Sequence, residues 1–223
     1  MESWKKNLSD YEFILWDLNR FDINQSLWVK QAFEAKKYAF AADYIRLYAI
    51  YHYGGIYMDM DVEVIKNFDS MLMFPYILGF ESKEGIEAGI LGAERGNPFI
   101  ADCLAYYANR MFISNGQYDI KPLPTIMLDI AQKYYVCFER KSIEIENFQT
   151  KYLYIFPYEY LTAKSFDTGK VIRTENTYCI HHFAGSWLPS KIRFKQNLIW
   201  WLGEKWSRKL MNFKRNIIKL FNA

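Results

Sequence analysis

The chain has 223 residues, of which 51% are hydrophobic, 19% aromatic and 24% charged, values that fit one α/β domain and exclude disordered, collagen-like and disulfide-scaffold proteins. The formal net charge of +3 is uneven, because residues 191–223 carry nine Lys or Arg and one Glu (net +8), which leaves −5 on residues 1–190. Three widely spaced cysteines, a charged N-terminal segment and the lack of a long apolar run predict a reducing compartment, no structural zinc, no signal peptide and no membrane span.

Hydrophobic periodicity predicts a strand, two helices and a second strand in the first third of the chain. The apolar run Phe13–Trp16 is typical of a strand, and Asn24 or Ser26 can cap the first helix. The second helix is almost wholly apolar and ends before the glycine pair that begins at Gly54. Polar and apolar residues alternate over Ile56–Ile65, which indicates a strand.

The remainder of the chain mixes helices and strands without a regular βα rhythm. This pattern predicts an α/β fold with a mixed sheet flanked by helices. The change in charge predicts a main domain over residues 1–190 and a basic amphipathic helical tail over residues 191–223. The predicted elements are strand Tyr76–Phe80, a glycine-bearing loop over 84–92, helices Pro98–Phe112 and Pro124–Tyr135, and strands Tyr152–Phe156 and Tyr178–His182.

Two carboxylates, Asp59 and Asp61, are the strongest candidates for chemistry. Residues two apart in a strand face the same side, so the pair would lie side by side while Met60 enters the core. Adjacent carboxylates repel unless a cation lies beside them, and Mg²⁺ and Mn²⁺ prefer carboxylate and phosphate ligands. The alternative is a pair of solvated acids on an edge strand. A helix-loop-helix calcium site is excluded, because Val64 and Ser70 stand where that loop needs Gly and Glu.

A second charged pair lies in the predicted helix Tyr38–Tyr53. Asp43 and Arg46 are three residues apart and share one face of this apolar helix, where unpaired charges are costly. On their own they would form an internal salt bridge that clamps helix to sheet. Because the helix leads through a glycine turn into the strand of Asp59 and Asp61, all four charges could converge on one crevice. There they could bind sugar hydroxyls and phosphate oxygens.

The combined pattern resembles that of a known family. Segments Ala41–Ala49 and Gly54–Asp61 place Asp43 and Asp59 16 residues apart, with Arg46 between them. This pattern resembles the sugar-binding region of the DXD-containing glycosyltransferases of family 32. The resemblance is to the bacterial capsular-polysaccharide type, which is related to the yeast initiating mannosyltransferases and more distantly to the clostridial glucosylating toxins.

The segment Ile180–Trp187, with two adjacent histidines, is similar to the terminal motif of the same family. The resemblance implies that His182 lies near a metal ion, Ser186 near the phosphates, and Trp187 over the sugar or phosphate as a mobile lid. Without the resemblance, the histidines would be assigned to the core or the surface and Trp187 to the core. A neutral imidazole beside carboxylates can complete the ligand set of Mn²⁺.

The resemblance implies a GT-A-like nucleotide-diphospho-sugar transferase fold and a metal-dependent, retaining glycosyltransferase. The donor would be a nucleotide sugar, with a UDP-hexose expected first, bound through Mn²⁺ or Mg²⁺. The acceptor would be a glycan, or a lipid-linked glycan, in capsular or other surface polysaccharide biosynthesis. The implied residues are Asp61 and His182 for the metal, Asp59, Asp61 and Arg46 for catalysis, and Asp43, Arg46, Asp59, Ser186 and Trp187 for substrate.

Other interpretations stay open. Family members begin earlier, with an apolar strand that forms part of the nucleotide pocket, whereas this sequence begins after that strand. Either the given start is clipped, or the protein has lost that strand and is an inactive relative that binds a membrane or a partner. A metal-dependent nuclease or phosphotransferase that uses Asp59 and Asp61 is a third, disfavoured interpretation.

The basic tail, residues 191–223, also allows three interpretations. Its apolar positions could pack on the main domain as an ordinary helix. Alternatively, Trp200, Trp201 and Trp206 with the surplus positive charge could lie at an anionic membrane surface, where a lipid-linked acceptor would be found. Nucleic-acid binding is disfavoured, because the main domain offers no basic and aromatic platform. A cytoplasmic protein, or one peripheral to the inner face of the plasma membrane, is therefore expected.

Overall fold

The structure, a computed structural model, describes residues 1–140, 142, 151–185, 188, 190–201 and 203. The helices of this part are α1 (Glu2–Asn7), α2 (Leu27–Glu34), α3 (Tyr38–Tyr53), α4 (Pro98–Ala105), α5 (Leu123–Tyr134), α6 (Tyr158–Leu161) and a tail helix over residues 190–201. The strands are β1 (Gly55–Met58), β2 (Val62–Val64), β3 (Tyr76–Ile77), β4 (Phe80–Ser82), β5 (Gly85–Ile86), β6 (Ile90–Ala93), β7 (Ile113–Ser114), β8 (Gln117–Tyr118), β9 (Val136–Glu139), β10 (Tyr152–Ile155) and β11 (Cys179–His181).

The strands form small sheets with helices packed against them. The largest sheet is antiparallel in the order β1-β6-β3, and β11 pairs antiparallel with β2, with His181 opposite Val62. Strands β9 and β10 pair in parallel, so the strand arrangement is mixed. This mixed α/β architecture agrees with the predicted fold class and is consistent with a GT-A-like domain.

Two apolar clusters lie on opposite faces of the largest sheet. Adjacent residues of a strand face opposite sides, and on β6 Ile90 belongs to one cluster whereas Leu91 belongs to the other. The larger cluster is built around Trp28, whose ring contacts Tyr107 and Phe112 with centroid distances of 5.0 and 5.1 Å. Much of the high aromatic content is therefore core packing, which contributes about 1.5–3 kcal/mol per fully buried large side chain.

Helix boundaries near the predicted site follow local sequence signals. Ser26 caps α2 by accepting a hydrogen bond from Val29 N–H (3.3 Å), as expected of a serine before an apolar periodic segment. Helix α3 ends at Gly54, whose φ of 71° favours glycine. A Cβ atom at Gly54 would also come within 2.9 Å of Arg95 N. The glycine turn predicted between helix and strand is confirmed.

Several predicted elements differ in the structure. Phe13–Trp16 belongs to no strand, since in the described part of the chain no strand pairs with it. The predicted loop over 84–92 contains β5 and the start of β6, and the helix predicted to reach Phe112 ends at Ala105. Glycines in short buried strands lower the apparent strand propensity, and this explains the missed strands.

None of the helices in the described ranges is long and apolar enough to span a bilayer. The tail helix contacts the main domain through the loop that precedes β11: Trp200 Nε1–H donates to Phe166 O (2.9 Å). Gln196 Nε2 donates to the same carbonyl oxygen (3.2 Å). One side of this helix is therefore fixed to the domain.

Candidate functional site

Asp59 and Asp61 lie in the tight turn that joins β1 to β2, and not within one continuous strand. The turn is closed by a hydrogen bond from Val62 N–H to Asp59 O (3.0 Å) and is anchored by one from Asp59 N–H to Gly89 O (2.7 Å). Met60, predicted to enter the core, is 65% exposed, so that prediction is wrong. Polar and apolar residues go on alternating through this turn, so the alternation gave no sign that a turn was present.

Arg46 connects α3 to this turn. Its Nη2 lies 3.2 Å from Asp43 Oδ1, and its Nη1 lies 3.3 Å from Asp59 Oδ2 and donates to Ala88 O (2.6 Å). The side chain is almost fully buried, and these contacts are those of an ion pair that clamps helix to sheet. Burial raises the pKa of Asp43 to about 6, although the charge of Arg46 opposes the shift. Direct contact of Arg46 with a donor phosphate stays a prediction.

His181 brings β11 to the turn. Its Nε2 lies 3.5 Å from Asp61 Oδ1, and its Nδ1 lies 3.0 Å from Glu87 Oε1. Burial alone would lower the pKa of His181, but the charge of Glu87 and the contacts with Asp61 raise it to about 10. Burial alone would likewise raise the pKa of Asp61, but hydrogen bonds from His181 and from Ala184 N–H (2.6 Å) lower it to about 2. The site therefore holds a strongly ionised carboxylate beside a protonated imidazole, and a cation that binds His181 would have to displace the proton on Nε2.

Glu87 orients the imidazole of His181. An ionised carboxylate only accepts hydrogen bonds, so Nδ1 of His181 donates to Glu87, and Nε2 is left to face Asp61. Burial alone would raise the pKa of Glu87, but His181, Thr162 Oγ1 (2.7 Å) and Gly89 N–H (2.6 Å) lower it. A Cβ atom at Gly89 would come within 2.7 Å of His181 Nδ1, so this backbone position requires glycine.

The structure brings His181 to the two aspartates, whereas the sequence singled out His182. Neighbouring residues in extended chain point to opposite sides, and the side chain of His182 pairs with Glu63 Oε2 (2.8 Å). His182 remains next to Asp61 through its backbone, because its N–H donates to Asp61 O (3.0 Å). Asp61 and His182 line an open cavity of about 340 Å³, together with Met1, Glu2, Ser3, Met60, Val62 and Glu63.

Two predicted substrate-binding residues, Ser186 and Trp187, lie outside the described residues, as does Trp206 of the tail. Their predicted roles stay predictions. Shortly before them along the chain, Phe183 and Ala184 contact the site: the ring of Phe183 stacks on His181 at 4.1 Å, and Ala184 N–H donates to Asp61 Oδ2.

Sequence reasoning missed Tyr57, Glu87, Gly89 and Lys164. The hydroxyl of Tyr57 donates to Asp59 Oδ1, and the period-two spacing of these two residues was a usable signal. Glu87 and Gly89 reach the site only through strand pairing, for which the sequence carried no local signal. Lys164 Nζ donates to His182 O (2.8 Å); burial lowers the pKa of this lysine, and the nearby charge of Asp61 partly offsets the shift.

The residues present fit a divalent cation. One ligand atom from each of Asp59, Asp61 and His181 can be chosen so that all three lie within 4.8 Å of one another. Two carboxylate oxygens and one imidazole nitrogen suit Mn²⁺, or Mg²⁺ if water and phosphate complete the coordination. A carboxylate that holds the other imidazole nitrogen, as Glu87 does here, is the usual partner of a metal-binding histidine.

Comparison with known proteins agrees with this location. Residues 1–78 match the model of the glycosyltransferase sugar-binding region containing DXD motif. Inositol phosphoceramide mannosyltransferase 3 of Schizosaccharomyces pombe is 32% identical over 95 residues, which are 41% of this chain and 27% of that protein. Mannosyl phosphorylinositol ceramide synthase SUR1 of Saccharomyces cerevisiae is 32% identical over 114 residues, 46% of this chain and 30% of that protein.

Glucan organizing enzyme 1 of Cryptococcus neoformans is 37% identical over 82 residues, 32% of this chain and 22% of that protein. The chain thus spans less than a third of the length of these curated relatives. No solved structure matches the chain. The sugar-binding region that is matched contains Asp43, Arg46, Asp59 and Asp61.

Proposed function

We propose that this chain is a metal-dependent, retaining glycosyltransferase that moves a sugar from a nucleotide-sugar donor to a hydroxyl of a glycan or lipid-linked glycan. The observation that carries the proposal is the convergence of Asp59, Asp61 and His181 within 4.8 Å, beside the buried pair Asp43–Arg46. Solvated acids on an edge strand would not share a buried arginine and a buried histidine in this way.

Asp61 and His181 would hold Mn²⁺ or Mg²⁺, with Asp59 as a third ligand or as a ligand of the sugar. When bound, the cation would stabilise the negative charge that develops on the departing nucleoside diphosphate. Lys164 supplies a further positive charge near Asp61. Arg46 would contribute by holding Asp43 and Asp59 in fixed positions, since orientation of the reacting groups lowers the barrier.

Two kinds of similarity bear on the identity of the donor sugar. The resemblance of the motif favours a UDP-hexose, whereas the names of two relatives specify transfer of mannose to inositol phosphoceramide. The acceptor is proposed as a glycan of a capsular or other surface polysaccharide, and the relatives' names add a glycolipid headgroup as the second acceptor class. A donor panel must therefore include UDP-glucose, UDP-galactose and GDP-mannose.

Donor hydrolysis by the full 223-residue chain tests the proposal. Release of UDP or GDP is measured with each donor, with Mn²⁺ or with EDTA. We expect metal-dependent release from one donor and a loss of about 100-fold or more in Asp61→Asn, because the substitution removes a charged ligand. Asp129→Asn is the matched control, since Asp129 only pairs with Lys121 at the surface.

Release that is equal in Asp61→Asn and the control would overturn the proposal. The absence of release from every donor, with either metal, would overturn it as well and would favour an inactive relative that binds a membrane or a partner.

A further inference from the structure

The tail helix, residues 190–201, presents a stripe of large apolar side chains to solvent. Phe194, Leu198 and Trp201 are 71%, 44% and 80% exposed. At about 100° per residue these three positions fall within about 60° of one another around the helix axis. Ile192, which is 52% exposed, lies outside this stripe, so the stripe holds most of the exposed apolar surface of the helix but not all of it.

The opposite face of the tail helix is fixed to the main domain. Trp200 and Gln196 both donate hydrogen bonds to Phe166 O, and Lys164 Nζ lies 3.9 Å from the centre of the Trp200 ring. A Cβ atom at Gly169 would come within 2.7 Å of Trp200 Cβ, so the indole is closely packed on the loop. Because the other side of the helix packs on the main domain, the apolar stripe points away from that domain.

Positive charges flank the stripe on both sides. By the same helical geometry Lys191 and Lys195 lie on one side of the stripe, and Arg193 lies on the other. All three side chains are exposed, and residues 190–203 contain no acidic residue. An apolar face bordered by lysine and arginine is the arrangement of helices that lie in the plane of a bilayer surface. There the apolar residues enter the headgroup boundary, and the long cationic side chains reach the phosphates.

We propose that this face of the tail helix binds an anionic phospholipid bilayer, with Phe194, Leu198 and Trp201 inserted and the flanking cations on lipid phosphates. Charge complementarity favours this occupant over a second copy of the chain, because pairing two such faces would bring like charges together. Contact with the bilayer would also orient the candidate site relative to the membrane. Lys164 contacts the ring of Trp200 and donates to His182 O, and so links the tail helix to the segment around Asp61. Lipid binding itself does not depend on sugar transfer.

Vesicle flotation with the full chain tests the proposal. The test variant is Phe194→Gln/Leu198→Gln/Trp201→Gln, and the control is Leu72→Gln/Met73→Gln/Ile120→Gln, which changes three side chains that are more than half exposed elsewhere. Vesicles contain either phosphatidylcholine alone or phosphatidylcholine with phosphatidylglycerol. We expect the wild type and the control to float with anionic vesicles only, and the test variant to lose at least about tenfold in partition coefficient, equivalent to about 1.4 kcal/mol.

Lys191→Gln/Lys195→Gln should weaken binding by about tenfold or more, and added salt should weaken wild-type binding as well. Failure of the wild type to float, or equal flotation of the wild type and the test variant, would overturn the proposal. A wild-type dimer in light scattering that the test variant loses, without vesicle binding, would overturn it in favour of an interface between copies. Donor hydrolysis in vesicle-free solution should be the same in the test variant and the wild type, which separates this proposal from the enzymatic one.

Discussion

Glu87 is a buried carboxylate that makes the position of His181 possible. It accepts hydrogen bonds from the imidazole and from Gly89 N–H, and Thr162 Oγ1 lies against its second oxygen. The segment from Glu87 to Gly89 also receives hydrogen bonds from Arg46, at Ala88 O, and from the backbone of Asp59. The charged groups of the site are therefore arranged around the segment from Glu87 to Gly89.

Replacement of Glu87 should weaken metal binding without removing a ligand. In Glu87→Ala the imidazole loses its acceptor, and we expect the dissociation constant for Mn²⁺ to rise about 10–100-fold. Glu87→Gln keeps an acceptor oxygen and should recover most of the affinity. Titration followed by electron paramagnetic resonance measures the free Mn²⁺. Exposed Glu84 provides the control Glu84→Ala, and equal affinities of Glu87→Ala and this control would contradict a positioning role.

Glu81 makes stability depend on pH. Burial and the charge of Glu87 raise the pKa of Glu81 from an ordinary value of 4.5 to about 7. Because the folded-state pKa is the higher one, its stabilising contribution is present below about pH 4.5 and is lost as the pH rises through 7. We expect Glu81→Gln to be more stable than the wild type by on the order of 1–3 kcal/mol at pH 8, and to gain little at pH 5. Urea unfolding at both pH values measures this, and equal gains at both would contradict the assignment.

At the scale of elements, helices with strong end signals were predictable and short buried strands were not. Ser26 and Gly54 marked helix ends correctly, and the pattern of α3 and β1 brought Asp43, Arg46 and Asp59 into one crevice. The turn at Met60 was missed, because alternation of polar and apolar residues does not distinguish a strand from two strands joined by a turn.

The partner histidine could not be derived from sequence. Whether His181 or His182 faces Asp61 depends on the register of β11 against β2, and a shift of one residue reverses every side chain. Register is a tertiary property, which the local sequence of β11 does not specify. The same holds for Glu87, which reaches His181 across 94 positions of sequence.

Substitution of Gly54 should destabilise the link between α3 and β1. Its φ of 71° and ψ of −170° are essentially limited to glycine, and a Cβ atom would also crowd Arg95 N at 2.9 Å. We expect Gly54→Ala to lower the free energy of unfolding by about 2–4 kcal/mol. Gly116→Ala is the matched control, because Gly116 has a similar φ of 74° but no atom within 4 Å of the added Cβ. It should cost only about 1–2 kcal/mol, and equal losses in urea unfolding would show that crowding at Gly54 contributes nothing.

At the scale of the whole molecule, the candidate site depends on contacts between distant parts of the chain. Asp61 and Ala184, which share a hydrogen bond, are 123 positions apart. The N-terminal helix contributes as well, because Trp4 Nε1–H donates to Val62 O (2.7 Å) and so ties α1 to β2, the strand that pairs with β11. The site can therefore form only when the N-terminal and C-terminal parts of the main domain are packed together.

Metal binding should consequently stabilise the molecule as a whole, because a ligand that binds only the folded state shifts the unfolding equilibrium by mass action. At a Mn²⁺ concentration about 100 times the dissociation constant, the gain is about 2.7 kcal/mol. For a chain of this size the gain corresponds to a rise of about 5–10 °C in melting temperature. Calorimetry with Mn²⁺ and then with EDTA measures the shift. It should be absent in Asp61→Asn and retained in Asp129→Asn, because only Asp61 joins the turn to His181 and Ala184. An equal shift in the two variants would mean that Mn²⁺ binds elsewhere, and the convergence of Asp59, Asp61 and His181 would then reflect internal ion pairing alone.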